Sequence, residues 1–130
     1  MADSSTQTGV GRTREFRLRR IYDAPRKADG HRILADRVWP RGMRKADAEI
    51  DDWAKDATPS SDLRKAYHSG DLDEQDFAAH YREELDDSGA ARELAADLPK
   101  VVTLLTAAKD PQRGHLPVLR DVLTEAQKNR

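Results

Sequence analysis

Apolar residues recur along this chain with two different periods, and the switches between them divide it into strands and helices. Phe16, Leu18 and Tyr22 are spaced by even numbers with arginines between them, as the covered face of a half-buried strand requires. A loop from Asp23 to Gly30, marked by Pro25 and Gly30, leads to a second strand expected over Arg32–Val38. Val101–Ala107 is nearly continuous in apolar character, which suits a strand with both faces covered at the middle of a sheet.

Between these strands the period lengthens to that of a helix. Ser60 or Ser61 can cap a helix carrying Leu63, Ala66 and Tyr67. Asp71 or Asp73 can cap one carrying Phe77, Tyr81 and Leu85 at i, i+4 and i+8, with acids crowding its first turn as the helix dipole favours. Ser88 can cap a third, carrying Ala91, Leu94, Ala95 and Leu98 and ending at Pro99. After a loop from Lys109 to Gly114, residues Leu116, Leu119, Val122, Leu123 and Ala126 predict a closing amphipathic helix that tolerates Pro117 in its first turn. Met43–Ala57 fits neither period alone: Ile50, Trp53, Ala54 and Ala57 suit a helix, and a short helical turn followed by an extended segment ending at Pro59 suits them as well, so mixed structure is expected. The order strand, strand, helices, strand, helix implies a single α/β domain over residues 15–130, with a small, at least partly parallel sheet flanked by helices. Residues 1–14, rich in Ser, Thr and Gly, are expected to form a disordered leader.

Composition narrows the chemistry. With no cysteine among 130 residues, disulfides, thiolate metal sites and cysteine nucleophiles are excluded. No apolar run approaches the roughly 18 residues a membrane span needs, and the first eleven residues lack the apolar core of a signal peptide, so no membrane association and a cytoplasmic location are expected. The net charge of -1 conceals an asymmetry: residues 12–45 carry twelve Arg or Lys against four acids, whereas residues 46–99 carry five against sixteen. Such halves make a basic functional face beside an acidic helical one, or they pair with each other within a monomer or across a homo-oligomer.

In open α/β sheets ligands bind beyond the carboxyl ends of the strands. Two polar clusters fall there. The first is Asp36-Arg37-Val38-Trp39-Pro40-Arg41-Gly42 after the second strand, and the other is Lys109, Asp110 and His115 between the third strand and the last helix. If the strands are neighbours, both clusters edge one crevice. Guanidinium groups are fixed forks for phosphate or carboxylate, and glycine lets backbone approach a ligand closely. The candidate ligand-binding residues for a small anion are therefore Arg37, Trp39 as a wall, Arg41, Gly42 and Lys109, and the candidate proton-moving residues are Asp36, Asp110 and His115. Each also has a structural reading: Asp36 and Arg37 as an ion pair, Trp39-Pro40 as packing, Arg41-Gly42 and Lys109-Asp110-Pro111 as turns, His115 as a cap. His31 is expected in a loop, and His68 and His80 on helical surfaces.

The sequence lacks a phosphate-cradling Walker pattern, a dinucleotide glycine fingerprint, a nucleophile elbow and histidines at metal spacing, so no cofactor or metal is called for. Asp71, Asp73, Glu74 and Asp76 do not form a calcium loop and read as a solvated helix start. Arg12, Arg14, Arg17, Arg19 and Arg20 allow an alternative function, a module that binds nucleic acid or an acidic partner; alternating arginines equally protect an edge strand from aggregation.

These residues also carry a family signature. Arg20-Ile21-Tyr22-Asp23 followed by a proline, Asp36 to Gly42, Trp53 with Ala57-Thr58-Pro59-Ser60 and Leu63-Arg64, and Thr103-Leu104-Leu105 running to Ala108-Lys109-Asp110 together resemble the YeaO-like proteins, an uncharacterised bacterial family grouped as domain of unknown function 488. The resemblance spans about residues 16–125 and implies a small cytosolic α/β protein with no established activity. One departure touches the candidate site: Gly114-His115-Leu116 stands where the family often has Asn-His-Ala.

Overall fold

The computed structural model describes residues 13–128. Four parallel strands form one sheet in the order β1-β4-β2-β3: β1 is Glu15–Arg20, β2 His31–Leu34, β3 Asp52–Trp53 and β4 Val101–Thr106. β4 lies between β1 and β2, paired with Leu18 opposite Leu104 on one side and Ile33 opposite Leu104 on the other. The apolar run at Val101–Ala107 thus occupies the interior position its composition demands. The expected fold class holds, and the sheet is parallel throughout.

Alternation along the strands sorts side chains between two layers. Leu18, Ile33, Ala35, Val102 and Leu104 face the main core. Against them pack α2 (Ser61–His68), α3 (Glu74–Ser88), α4 (Ala90–Ala95) and α5 (His115–Lys128). Phe77, Tyr81 and Leu85 supply the stripe of α3, and Leu116, Leu119 and Leu123 that of α5, all 3% exposed or less. The opposite face holds Ile21, Leu34 and Leu105, covered by Trp39, Met43, Ile50 and Trp53 from the segment that contains α1 (Lys45–Ala48) and β3. Among the described residues no helix is long and apolar enough to cross a membrane.

Most helix boundaries follow their caps. The Ser60 hydroxyl accepts from the Leu63 N–H and the Asp73 carboxylate from the Asp76 N–H, which starts α2 and α3 where expected. Other boundaries differ from the sequence reading. Ser88 ends α3, and Gly89 at φ 73°, in the left-handed conformation that stops α3, holds the N-cap position of α4; the Ser88 hydroxyl still accepts from the Ala90 N–H at 3.1 Å, so it serves the start of α4 from one residue further back. Leu98 is buried beyond the end of α4. β1 stops at Arg20, so Ile21 enters the second core while Tyr22 turns out to solvent. His31 opens β2 instead of lying in the preceding loop. Met43–Ala57 has the mixed structure expected, and its extended part becomes a two-residue strand on the edge of β2. Of the leader expected over residues 1–14, residues 1–12 lie outside the described part, whereas Thr13 donates its N–H to Gln127 and Arg14 donates to the Lys100 carbonyl, so these two belong to the fold.

β2 is shorter than the run Arg32–Val38 suggested. The Ala35 N–H still donates to the Leu105 carbonyl at 2.9 Å, but the Ala107 N–H then turns to the Asp36 carboxylate at 2.7 Å. A side-chain acceptor replaces the next rung of the ladder, and the chain leaves the sheet there.

The polar end of the sheet's second face is closed by a buried ion cluster. Asp29, fully buried, accepts two hydrogen bonds from Arg19 at 2.9 and 2.8 Å, one from Arg32 at 2.5 Å and one from the Arg26 N–H at 3.0 Å. Arg32 completes its own set on the Glu49 and Ala48 carbonyls, and Thr103 donates to the Asp29 carbonyl. Burial opposes ionisation of Asp29, but these donors outweigh it and hold its carboxyl below the ordinary range. Removing one member of such a cluster strands the others without partners. Asp29→Ala is expected to cost about 3–5 kcal/mol in urea unfolding. Next to it, Gly30 (φ 64°) runs so close to β4 that an added Cβ would collide with the Val101 carbonyl oxygen. Gly30→Ala is expected to lose about 2–4 kcal/mol in the same measurement, from backbone strain and overpacking combined.

Candidate functional site

Beyond the carboxyl ends of β2 and β4, the loop after β2, the loop after β4, α2 and the start of α5 enclose a cleft of about 540 Å³. Its floor is built by Asp36. One carboxylate oxygen accepts from the Thr106 hydroxyl at 2.8 Å and lies 3.3 Å from His115 Nε2; the other accepts the Ala107 N–H. The Asp36 carbonyl accepts from the Trp53 indole at 2.7 Å. Burial disfavours the charged form of Asp36, yet the neighbouring His115 ring and the hydrogen bonds from Ala107 and Thr106 together bring its pKa below the ordinary carboxylate value.

His115 is tied at one nitrogen. Nε2 lies 2.6 Å from the Ala35 carbonyl, an oxygen that can only accept, so Nε2 carries a proton and donates. Behind the imidazole stands Tyr81, edge-on with ring centroids 6.5 Å apart, its hydroxyl donating to the Ala57 carbonyl. Complete burial pushes the Tyr81 phenol well above its usual range, so it stays neutral and keeps the proton it donates to the Ala57 carbonyl.

The arginines set the charge of the cleft. Arg37, Arg41 and Arg64 line it, and among the described residues none of the three has a carboxylate partner. Arg37 makes only long contacts to the Pro59 and Thr58 carbonyls, at 3.3 and 3.4 Å. Arg113 at the rim is paired with Glu74 at 2.5 Å. By contrast, the arginines of β1 are engaged internally: Arg17 with Glu15, Arg19 with Asp29, and Arg20 with the Ala107 and Ala108 carbonyls.

The two clusters read from the sequence do edge one crevice. Asp36, Arg37, Trp39, Arg41, Asp110 and His115 all line it. Gly42 and Lys109 do not: Gly42 makes an exposed turn at φ 77°, and Lys109 is exposed outside the cleft. Asp110 accepts from the Gln112 N–H at 3.0 Å, which shapes the loop before α5. Trp39 donates to the Met43 carbonyl and packs edge-on against Trp53 at 5.2 Å, so it is both wall and core. The sequence reading missed the wall on α2, where Arg64, Tyr67 and His68 stand at i, i+3 and i+4 on one helix face. The spacing is present in the sequence, but Tyr67 reads there as part of the buried stripe of α2 beside Leu63 and Ala66. Tyr22 was also missed, because it was assigned to the buried face of β1.

Against known proteins, a family model described as "Inactive DUF488-N3 subclade" matches residues 15–130. The chain is 42% identical over 110 residues to "Uncharacterized protein YeaO" of Escherichia coli (strain K12), covering 83% of this chain and 96% of that one. It is likewise 42% identical over 113 residues to "Uncharacterized protein Rv3073c" of Mycobacterium tuberculosis (strain ATCC 25618 / H37Rv), covering 85% of this chain and 96% of that one. No solved structure matches the chain.

The depressed pKa of Asp36 fixes the sign of a pH effect. Its contribution to stability is complete above the ordinary carboxylate value and disappears as pH falls through the lower, folded value. Asp36→Asn places an amide against the Ala107 N–H or the Thr106 hydroxyl and is expected to cost about 1.5–3 kcal/mol near pH 7. Urea unfolding of both proteins from pH 7 to 2.5 should show the gap between them closing with acid; a gap independent of pH would rule out the carboxylate as its source.

Proposed function

We propose, for a chain that belongs to the DUF488 family and within it to the inactive N3 subclade, that the cleft is a recognition site for a small phosphate- or carboxylate-bearing ligand and performs no chemistry on it. The observation that carries this reading is the convergence of Arg37, Arg41 and Arg64 on one crevice without a carboxylate partner among the described residues. A guanidinium left unpaired at a cleft is a donor set held ready for an anion.

The residues first considered for proton transfer have other occupations. Asp36 spends both carboxylate oxygens on fixing the floor, and Nε2 of His115 donates to a backbone carbonyl. Asp110 holds a turn. A general base needs a free acceptor within about 3 Å of the proton it takes. With Nε2 protonated, His115 keeps Nδ1 as an acceptor, so the preference for binding over catalysis rests on the engagement of Asp36 at both oxygens and on the description of the subclade as inactive. The alternative of nucleic-acid binding through the basic N-terminal third draws little support, because Arg17, Arg19 and Arg20 satisfy partners within the fold.

Isothermal titration and thermal shift with inorganic phosphate, phosphorylated metabolites and organic acids test the reading. At a ligand concentration about a hundredfold over Kd, stabilisation should reach about 2.7 kcal/mol, a rise of several degrees in Tm. Arg41→Ala and Arg64→Ala are each expected to weaken binding by about tenfold or more, the loss of one charge-assisted hydrogen bond. Absence of a response to every anion, or identical responses in the variants, sinks the proposal.

A further inference from the structure

Tyr22 and Val38 are the exposed large hydrophobic residues of the described chain, at 41% and 69% exposure, and both border the arginine cleft. Single apolar side chains in water are ordinary. Two at the mouth of one charged crevice mark a surface kept apolar for what enters it.

Tyr22 is also held in place. Its hydroxyl donates to the Arg41 carbonyl at 2.8 Å, and the Arg20 guanidinium lies 5.0 Å from its ring centroid. Arg20 is itself fixed by the Ala107 and Ala108 carbonyls, at 3.0 and 2.9 Å. A ring positioned in advance loses little entropy when a second ring stacks on it. Deeper in the same cleft Tyr67 is stacked on Phe77, with centroids 4.4 Å apart and planes 24° from parallel. The volume of about 540 Å³ lies in the range of sites that enclose whole small molecules, more than a bare anion fills.

We infer that the cleft takes a nucleotide-type ligand, an aromatic ring joined to a phosphate, with the ring on Tyr22 beside Val38 and the phosphate against Arg37, Arg41 and Arg64. This rests on the anion-site reading and adds the ring. A free mononucleotide is favoured over a strand. Strand binding follows a basic track along the backbone, and the arginines of β1 that could extend such a track are tied to Glu15, Asp29 and backbone carbonyls.

Isothermal titration of the full chain with adenosine monophosphate and uridine monophosphate, set against ribose 5-phosphate and inorganic phosphate, separates the two layers of the argument. The expected result is that the mononucleotides bind at least about fivefold tighter than ribose 5-phosphate, the lower end of what one stacked base contributes. Tyr22→Ala should erase that ratio, and Tyr22→Phe, which keeps the ring and loses the hydroxyl, should retain it. Val38→Ser, at a position too exposed to affect folding, should narrow it even if Tyr22→Ala misfolds. Equal affinity for ribose 5-phosphate and the mononucleotides, both lost in Arg41→Ala, overturns the ring and leaves the anion site standing. No binding of any phosphate overturns both. Affinity that climbs with the length of an oligothymidylate overturns the free nucleotide in favour of a strand.

Discussion

One residue, Asp36, joins four pieces of this fold. Asp36 accepts from Thr106 and Ala107 at the end of β4, contacts His115 at the start of α5, and through its carbonyl holds Trp53 of β3. Buried charge is tolerated only where donors surround it, and here the groups around the carboxylate come from elements distant in sequence, so the cost of burying Asp36 is offset only when β2, β4 and α5 are in place, with β3 tied in through the Asp36 carbonyl. The cleft exists because of that requirement. Its floor is the underside of the same network, and the loop that carries Arg37, Trp39 and Arg41 is anchored at Asp36 before it spreads over the sheet.

Asp29 solves the same problem at the opposite end of the second face. There the carboxylate sits among Arg19, Arg32 and the Arg26 N–H, and Arg32 reaches on to the carbonyls of Ala48 and Glu49. Between the two charged ends lie Ile21, Leu34 and Leu105 under Trp39, Met43 and Trp53. Among the described residues the one α-helix over this side of the sheet is four residues long, so an irregular segment does much of the covering, and its backbone groups are satisfied by side chains, as irregular buried backbone must be. The polar networks are what allow so little regular structure to close a sheet face.

The parts that were legible in the sequence are those in which local pattern and tertiary role coincide. Val101–Thr106 reads as an inner strand because both of its faces are covered, and Phe77, Tyr81 and Leu85 read as a helix stripe because one core lies beneath them. Ser60 and Asp73 announce their helices through side-chain caps. What could not be read depended on partners far along the chain. The run Arg32–Val38 looks extended to its end, and only the demand of the Ala107 N–H for the Asp36 side chain stops β2 at Leu34. Tyr22 continues the even spacing of Phe16 and Leu18, but β1 has no rung left to offer it, and Ile21 takes the buried place.

The candidate site shows the same division. That the polar clusters after β2 and β4 would meet was conditional on those strands being neighbours, a strand order that the sequence left open and that the sheet supplies. Which members face the cleft did not follow: Lys109 and Asp110 are adjacent, yet only Asp110 lines it. Nor does the presence of Asp, His and Arg at one strand end imply catalysis. A reacting group needs both proximity and an uncommitted atom; Asp36 has proximity with both carboxylate oxygens already bonded to the fold, and His115 is held beside it through Nε2. Groups so engaged make a rigid floor beneath arginines that have no carboxylate partner among the described residues, and on the proposed reading of the cleft such a floor spares reorganisation when a ligand arrives.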